Sequence, residues 1–293
     1  MYKEAKIDLK KYLETKRKIV DRELDKYLPP IRKKPATLHR AMRYSVFAGG
    51  KRLRPVLAMT AFEMVGGKGK IILPVACALE LIHTYSLIHD DLPCMDNDDL
   101  RRGKLTSHKV FGSGMAILAG DALHALAFEI LAKCENPLAF EEVAKAIGTF
   151  GMVGGQAADL EAEGKDISLD EIKYIHTHKT AQLIKTSIRV GAILGKANKK
   201  ELEALTSYGE KFGLAFQIMD DILDIEGKTK EIGKKVGSDK VKEKATFPKV
   251  AGLEKSKLTA KILLEEAKEK LKGFGDNGFI FKELAGFIYT RRS

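Results

Sequence analysis

Apolar side chains recur at mixed three- and four-residue steps along most of the chain, the spacing that lines one face of an α-helix. Over residues 1–28 the series is Ile7, Tyr12, Leu13, Ile19, Val20, Leu24 and Leu28, and Pro29-Pro30 stops it. The same pattern predicts helices over Leu38–Ala48, Arg54–Val65, Ile71–Leu92, Gly114–Lys133, Leu138–Gly154, Ser168–Leu194, Lys200–Ile225 and Ser256–Lys272. Gly49-Gly50, Gly66-Gly67 and Asn136-Pro137 punctuate them, and Ser168 followed by Glu171 reads as a capping box. No alternating stretch with a hairpin turn predicts a strand pair. Linkers are short, with no Ser/Gly- or Pro-rich hinge, so residues 1–293 are expected to form a single all-α domain. The most polar connection, Gly227–Glu243, is rich in Lys and Gly and is expected to be a mobile loop over a functional site.

Composition changes this picture little. The chain is 44% hydrophobic and 31% charged, as in soluble globular proteins. Its most apolar run, Ile71–Ile82, is broken by Pro74 and Glu80 and falls short of the roughly 18 residues of a membrane span. The Lys- and Glu-rich N-terminus has no apolar signal core, so the expectation is a cytoplasmic protein without membrane insertion. Cys77, Cys94 and Cys134 lack CxxC spacing and predict reduced thiols, not a zinc site or a disulfide framework. Three glutamines and four asparagines beside a heavy Lys/Glu load lean thermophilic.

The net charge of +11 leaves nucleic acid, anionic membranes and polyphosphate ligands open as partners. The basic residues bunch beside glycines and acidic clusters instead of forming one arm. That favours small phosphorylated ligands; a nucleic-acid partner is not expected.

The acidic clusters are the main chemical signal. DDLPCMD at Asp90–Asp96 and DDILD at Asp220–Asp224 lie about 125 residues apart, each at the end of an apolar helical run. Asp is a poor helix former and neighbouring like charges repel, so both clusters make sense around a hard, oxygen-seeking divalent cation such as Mg²⁺. Gln217, Asp220, Asp221 and Asp224 share one helical face; the alternative is a solvated surface stripe. In the first cluster Asp96 falls on the wrong side of a continuous helix. Pro93 disfavours helical continuation at Leu92, so a loop is expected to swing Asp96 back toward Asp90. His83, Leu87 and Asp90 align on the preceding helix, where His83 is either a core residue or a site residue.

Cations surround these acids. Arg101-Arg102 suit two anionic groups or, alternatively, internal pairing with Asp98 and Asp99. GGKRLRP at Gly49–Pro55 resembles a phosphate loop but is not a Walker motif, since Arg52 stands where Ser or Thr is required. HKT at His178–Thr180 puts a cation and a hydroxyl inside an otherwise apolar helix, and Gln156 and Gln217 both lie in motif-like settings.

In order and spacing, GGKRLRP, HTYSLIHDDLPCMDNDDLRRG, GGQAADLEAEG, HKT, FQIMDDILD and the stretch ending KATFP resemble the trans-isoprenyl diphosphate synthases over roughly residues 40–250. The resemblance implies the isoprenoid synthase fold, about ten mostly antiparallel helices around a deep central cavity, in a homodimer. It implies that Asp90, Asp96 and Asp220 hold Mg²⁺, three ions per active site, on the diphosphate of an allylic substrate. Arg101, Lys179, Lys234 and Lys244 would add charge to that diphosphate. Lys51, Arg54, His83 and Arg102 would bind isopentenyl diphosphate, and Lys179, Thr180 and Gln217 would serve catalysis.

The family also implies that Tyr85 and Ser86, five and four residues before the first Asp, floor the hydrocarbon pocket. An aromatic there, with the long DDLPCMD loop, is similar to bacterial-type farnesyl diphosphate synthases and predicts a C15 product. Geranylgeranyl diphosphate synthase (C20) is the alternative, followed by a non-catalytic subunit of a heteromeric synthase. Intact acidic clusters argue against the latter. A terpene cyclase would have no reason to keep GGKRLRP.

Overall fold

The protein is described by a computed structural model covering residues 8–226 and 244–290. Local signals set most helix ends. Asp8 caps α1 (Leu9–Tyr27) by accepting the backbone N–H of Lys10 at 2.9 Å, and α1 ends just before Pro29-Pro30. The next helices are α2 (Ala36–Val46), α3 (Leu53–Met64) and α4 (Ile72–Asp90). Two-residue strands β1 (Leu100–Arg101) and β2 (Lys104–Leu105) follow, then α5 (Ser107–Phe111) and α6 (Ser113–Ala132). Asn136 caps α7 (Pro137–Ile147), with Pro137 at its first position.

The predicted helix over Leu138–Gly154 is two helices. The chain breaks at Gly148–Gly151 and restarts as α8 (Met152–Ala162). A β-carbon at Gly151 would lie 2.1 Å from the Ala146 carbonyl oxygen, so the turn is closed by a residue without a side chain. The predicted Ser168–Leu194 helix is α9 (Leu169–Ile175), a π-helical turn (His176–Ala181) and α10 (Gln182–Leu194). It opens on the expected capping box, Ser168 and Glu171 each bonding the other's backbone N–H.

The long α11 (Lys199–Glu226) carries the second acidic cluster. After it come α12 (Phe247–Ala251), α13 (Leu253–Lys270), a 3₁₀ turn (Lys272–Gly278) and α14 (Phe279–Thr290), the last two not predicted from the pattern. The expected loop over Gly227–Glu243 lies outside the described residues, as does Lys234.

The expected all-α architecture is what the chain adopts, apart from the small hairpin. α4 packs on α6, α3 on α10, and α11 on α10 and α13. One core gathers about α4, which is buried on every side: Val75, Ala76, Cys77, Ala78, Leu79, Leu81 and Ile82 are all fully inaccessible. A second gathers about Tyr208, Phe212 and Ile218 of α11 with Phe281 of α14.

Among the described residues two helices, α4 and α6, are long and apolar enough to cross a membrane by length and composition. The interruptions that hid this in α4 are absorbed locally. Pro74 sits in the first turn, and Glu80 is paired with Arg52 inside the core at 2.9 Å. The apolar window of α4 is 72% buried, that of α6 only 39%, leaving an outer face with Ile117 and Leu118 exposed.

Candidate active site

The helices enclose a cavity of about 680 Å³, and both acidic clusters open into it. Asp90 and Asp96 stand on one wall, Asp220, Asp221 and Asp224 on another. The Pro93 loop does what the spacing required, because the backbone N–H of Asp96 donates to the Asp90 carbonyl at 2.7 Å and turns Asp96 back over the end of α4. Asp91 points elsewhere. Its buried carboxylate accepts Arg101 Nε at 2.9 Å, and Arg101 reaches Asp98 at 3.3 Å. The internal pairing considered for Arg101 is therefore real, but with Asp91 and Asp98; Asp99 pairs with Lys109 instead.

Burial raises the Asp90 pKa to about 6, Lys179 opposing and the nearby Asp96 adding to the rise. A carboxylate held in that state gains from any cation placed between it and Asp96.

The second cluster is no solvated stripe, since Asp221 and Asp224 are buried. Asp221 is the hub of a network. It accepts the Phe247 backbone N–H at 2.7 Å and Gln217 Nε2 at 3.0 Å, and lies 3.3 Å from His176 Nε2. Burial opposes its ionisation, yet His176 and these donors hold its pKa below the ordinary value. Gln217, fixed through its amide nitrogen, accepts the Thr180 hydroxyl at 2.7 Å.

His176, Lys179 and Thr180 share the π-helical turn, whose extra residue lets all three line the cavity. α8 lies directly against that turn because residue 155 is glycine; a β-carbon there would sit 2.2 Å from the Lys179 nitrogen. This approach places Asp159 against Lys179 Nζ at 2.5 Å and 3.7 Å from Lys244 Nζ, while Lys244 also donates to Asp96 at 2.6 Å.

A basic corner lies beside the first cluster. Arg54, His83 and Arg102 all line the cavity, and Arg102 approaches His83 Nε2 at 3.5 Å. Burial pushes the His83 pKa well below its ordinary value, with Arg54 and Arg102 adding to the shift, so its ring is neutral. Arg54 Nε is buried without a hydrogen-bond partner. Arg102 also donates to the Gly49 carbonyl, and fits there because a β-carbon on Gly50 would lie 2.5 Å from its guanidinium.

Underneath, Arg52 takes a left-handed backbone and binds Asp21 at 2.8 Å, Glu80 at 2.9 Å and the Val46 carbonyl at 2.7 Å, fixing the loop from inside. Lys51 is exposed, and the cavity wall made by the described residues does not include it. Tyr85 and Ser86 both reach the cavity, whose lining also includes Met152 and Val153.

The structure thus brings together Arg54, His83, Tyr85, Ser86, Asp90, Asp96, Arg101, Arg102, Lys179, Thr180, Gln217, Asp220 and Lys244. The sequence reading missed Asp159, the common partner of two lysines, and His176. Asp159 was visible only as the acid three residues after Gln156. Gln156 itself lines the cavity with Nε2 buried and unpartnered.

An all-helical shell with carboxylates on two walls and cations between them is the architecture of an enzyme that handles a multiply charged anion. The chain belongs to the polyprenyl synthetase family, whose pattern it matches over residues 35–277. It is therefore one of the trans-prenyltransferases. Its relatives differ in product. It is 47% identical to the heterodimeric geranylgeranyl pyrophosphate synthase large subunit 1, chloroplastic, of Arabidopsis thaliana, over 99% of this chain and 81% of that protein. It is 45% identical to the farnesyl diphosphate synthase of Geobacillus stearothermophilus, over 98% and 99% respectively. Its fold is similar to a polyprenyl synthase from Caulobacter crescentus complexed with calcium and isoprenyl diphosphate. That likeness has a TM-score of 0.89 at 28% identity and covers 97% of each chain.

Proposed function

We propose that this protein condenses isopentenyl diphosphate with dimethylallyl and geranyl diphosphates to give farnesyl diphosphate. The observation that carries the reading is the cavity itself, in which two acidic walls, a basic corner and an aromatic residue on α4 occur together.

Mg²⁺ suits the donor set, which is all oxygen. Asp90, Asp96 and Asp220 would hold three such ions. Bound there, they would supply the positive charge that makes diphosphate a good leaving group.

The chain's own groups do the rest. Lys179 and Lys244, with Arg101 behind them, turn from their carboxylate partners to the allylic diphosphate and stabilise its departure. The Thr180 hydroxyl and the Gln217 amide present weak dipoles, not nucleophiles, to the allylic cation left behind. Arg54 and Arg102, with neutral His83, receive the second diphosphate, and the orphaned Arg54 Nε supports that role. Lys51 would join them from the surface. The double bond of isopentenyl diphosphate then attacks the cation, and the released diphosphate removes the proton. No protein base is required.

Tyr85 against the pocket supports the C15 product; relatives named for geranylgeranyl diphosphate support the C20 alternative. The exposed apolar face of α6 supports a homodimer, and we place the enzyme in the cytoplasm. The decisive assay combines purified protein, Mg²⁺, isopentenyl diphosphate and dimethylallyl diphosphate, with product length read by mass. A C15 diphosphate is expected, a C20 product would transfer the reading to the alternative, and no condensation would overturn it.

A further inference from the structure

Glu80 lies in the middle of α4, one turn before His83, and is 1% exposed. Its Oε1 accepts Arg52 Nη1 at 2.9 Å, while its Oε2 is buried with no hydrogen-bond partner. Arg52 is buried too, and its other donors reach separate segments. Nε binds Asp21 of α1 at 2.8 Å, Nη2 the Val46 carbonyl at the end of α2 at 2.7 Å, and Nη1 also approaches the Gly49 carbonyl at 3.4 Å. Arg102, which lines the cavity, donates to that same Gly49 carbonyl. Arg52 has φ 51° and immediately precedes α3. An L-residue holds this left-handed conformation only where its surroundings impose it, and here the acceptors around one guanidinium do so. Arg54 sits in the first turn of the helix that follows, its Nε buried without a partner.

The same carboxylate acts on the whole basic corner. Burial opposes the Arg52 charge, yet Glu80 and Asp21 outweigh it and raise its pKa. Burial lowers the Arg54 pKa to about 10 and lowers that of Arg102 as well, and in both Glu80 is the strongest opposing charge. A buried ion pair adds little net stability over a well-packed apolar pair, so an acid inside α4 calls for a role other than holding the core together. We propose that Glu80 and Arg52 are positioning residues for the second diphosphate, fixing the turn at residues 49–54 so that Arg54 and Arg102 stand in place before isopentenyl diphosphate arrives. This rests on the reading of Arg54, His83 and Arg102 as the isopentenyl diphosphate corner given above. The cavity wall made by the described residues includes neither Glu80 nor Arg52, so the pair acts through the turn and not by touching substrate.

The test measures Tm and the KM of each substrate, the other saturating, for the intact enzyme and the variants Glu80→Gln, Arg52→Met and Glu80→Gln/Arg52→Met. Each single variant should raise the KM of isopentenyl diphosphate at least about tenfold, with kcat and the KM of dimethylallyl diphosphate within about twofold. Each should also lower Tm, because one partner of the pair stays buried without the other. The double variant leaves neither partner stranded, so it should regain most of the lost Tm while the KM of isopentenyl diphosphate stays raised. Should Arg52→Met not fold, Arg52→Lys keeps a charge beside Glu80 but lacks the planar fork, and should raise the same KM. A double variant in which Tm and KM recover together would make the pair purely structural and overturn the proposal. So would single variants that leave the KM of isopentenyl diphosphate unchanged, or that raise both KM values alike. No product from the intact enzyme sinks the activity itself, and with it this role.

Discussion

Asp90 shows at one residue how function is set against stability. Its pKa of about 6 in the folded chain lies above the unfolded carboxylate value of about 4. The folded state therefore holds this proton more tightly. The stabilisation it brings is full below about pH 4 and is lost as pH rises through about 6. In metal-free protein at pH 8, Asp90→Asn should stabilise the fold by on the order of 1–3 kcal/mol, a gain that vanishes at pH 4. Urea unfolding in a chelator at the two pH values measures it; equal gains at both would exclude titration as the cause. Thr180 tests the opposite case. Thr180→Val keeps the shape but removes the hydroxyl that Gln217 orients. It should lower kcat by about 10- to 100-fold while both KM values stay within about twofold. Steady-state kinetics that moved KM instead would place Thr180 in ground-state binding.

At the scale of elements, the helices were legible where the pattern ran unbroken and the caps were explicit. The stop of α1 before Pro29-Pro30 and the Ser168 capping box are such cases; the Asp8 cap was not read. What escaped was smaller than a period. The π-helical turn adds one residue to a helix whose apolar spacing already mixes threes and fours, so periodicity passes over it. The hairpin is two residues per strand, too short to alternate. Asp159 could be seen but not paired, because its partners come from the π-helical turn and from residue 244. Deleting Thr177 should convert the turn to a regular α-helix. The protein should keep its helical circular dichroism and cooperative melt but lose activity by about 1,000-fold, as Thr180 and Lys179 rotate relative to α11. Retained activity would show that the bulge positions nothing.

For the molecule as a whole, the all-helical class followed from the pattern alone, and the cavity followed from the resemblance. Burial patterns could not reveal which cations face which acids, because long side chains choose partners only after the helices have packed. The fold does not depend on metal for its cores, which are two apolar clusters. Chelation should therefore abolish turnover and shift Tm by no more than about 2 °C, and added Mg²⁺ should restore turnover. A large loss of Tm on chelation would make the metal structural.

The link from Lys179 to Asp159 to Lys244 to Asp96 has a further consequence. Before any ligand arrives these four side chains form a chain of alternating charges, so binding is a counter-ion exchange and not an addition. A metal ion alone must displace Lys244 from Asp96 and leave that lysine competing with Lys179 for Asp159. A diphosphate alone must draw the lysines away and leave the carboxylates facing one another. Each ligand repairs the deficit the other creates. Titration calorimetry should therefore find Mg²⁺ and an unreactive diphosphate each binding weakly alone and, added together, at least about tenfold more tightly, with the same coupling whichever is added first.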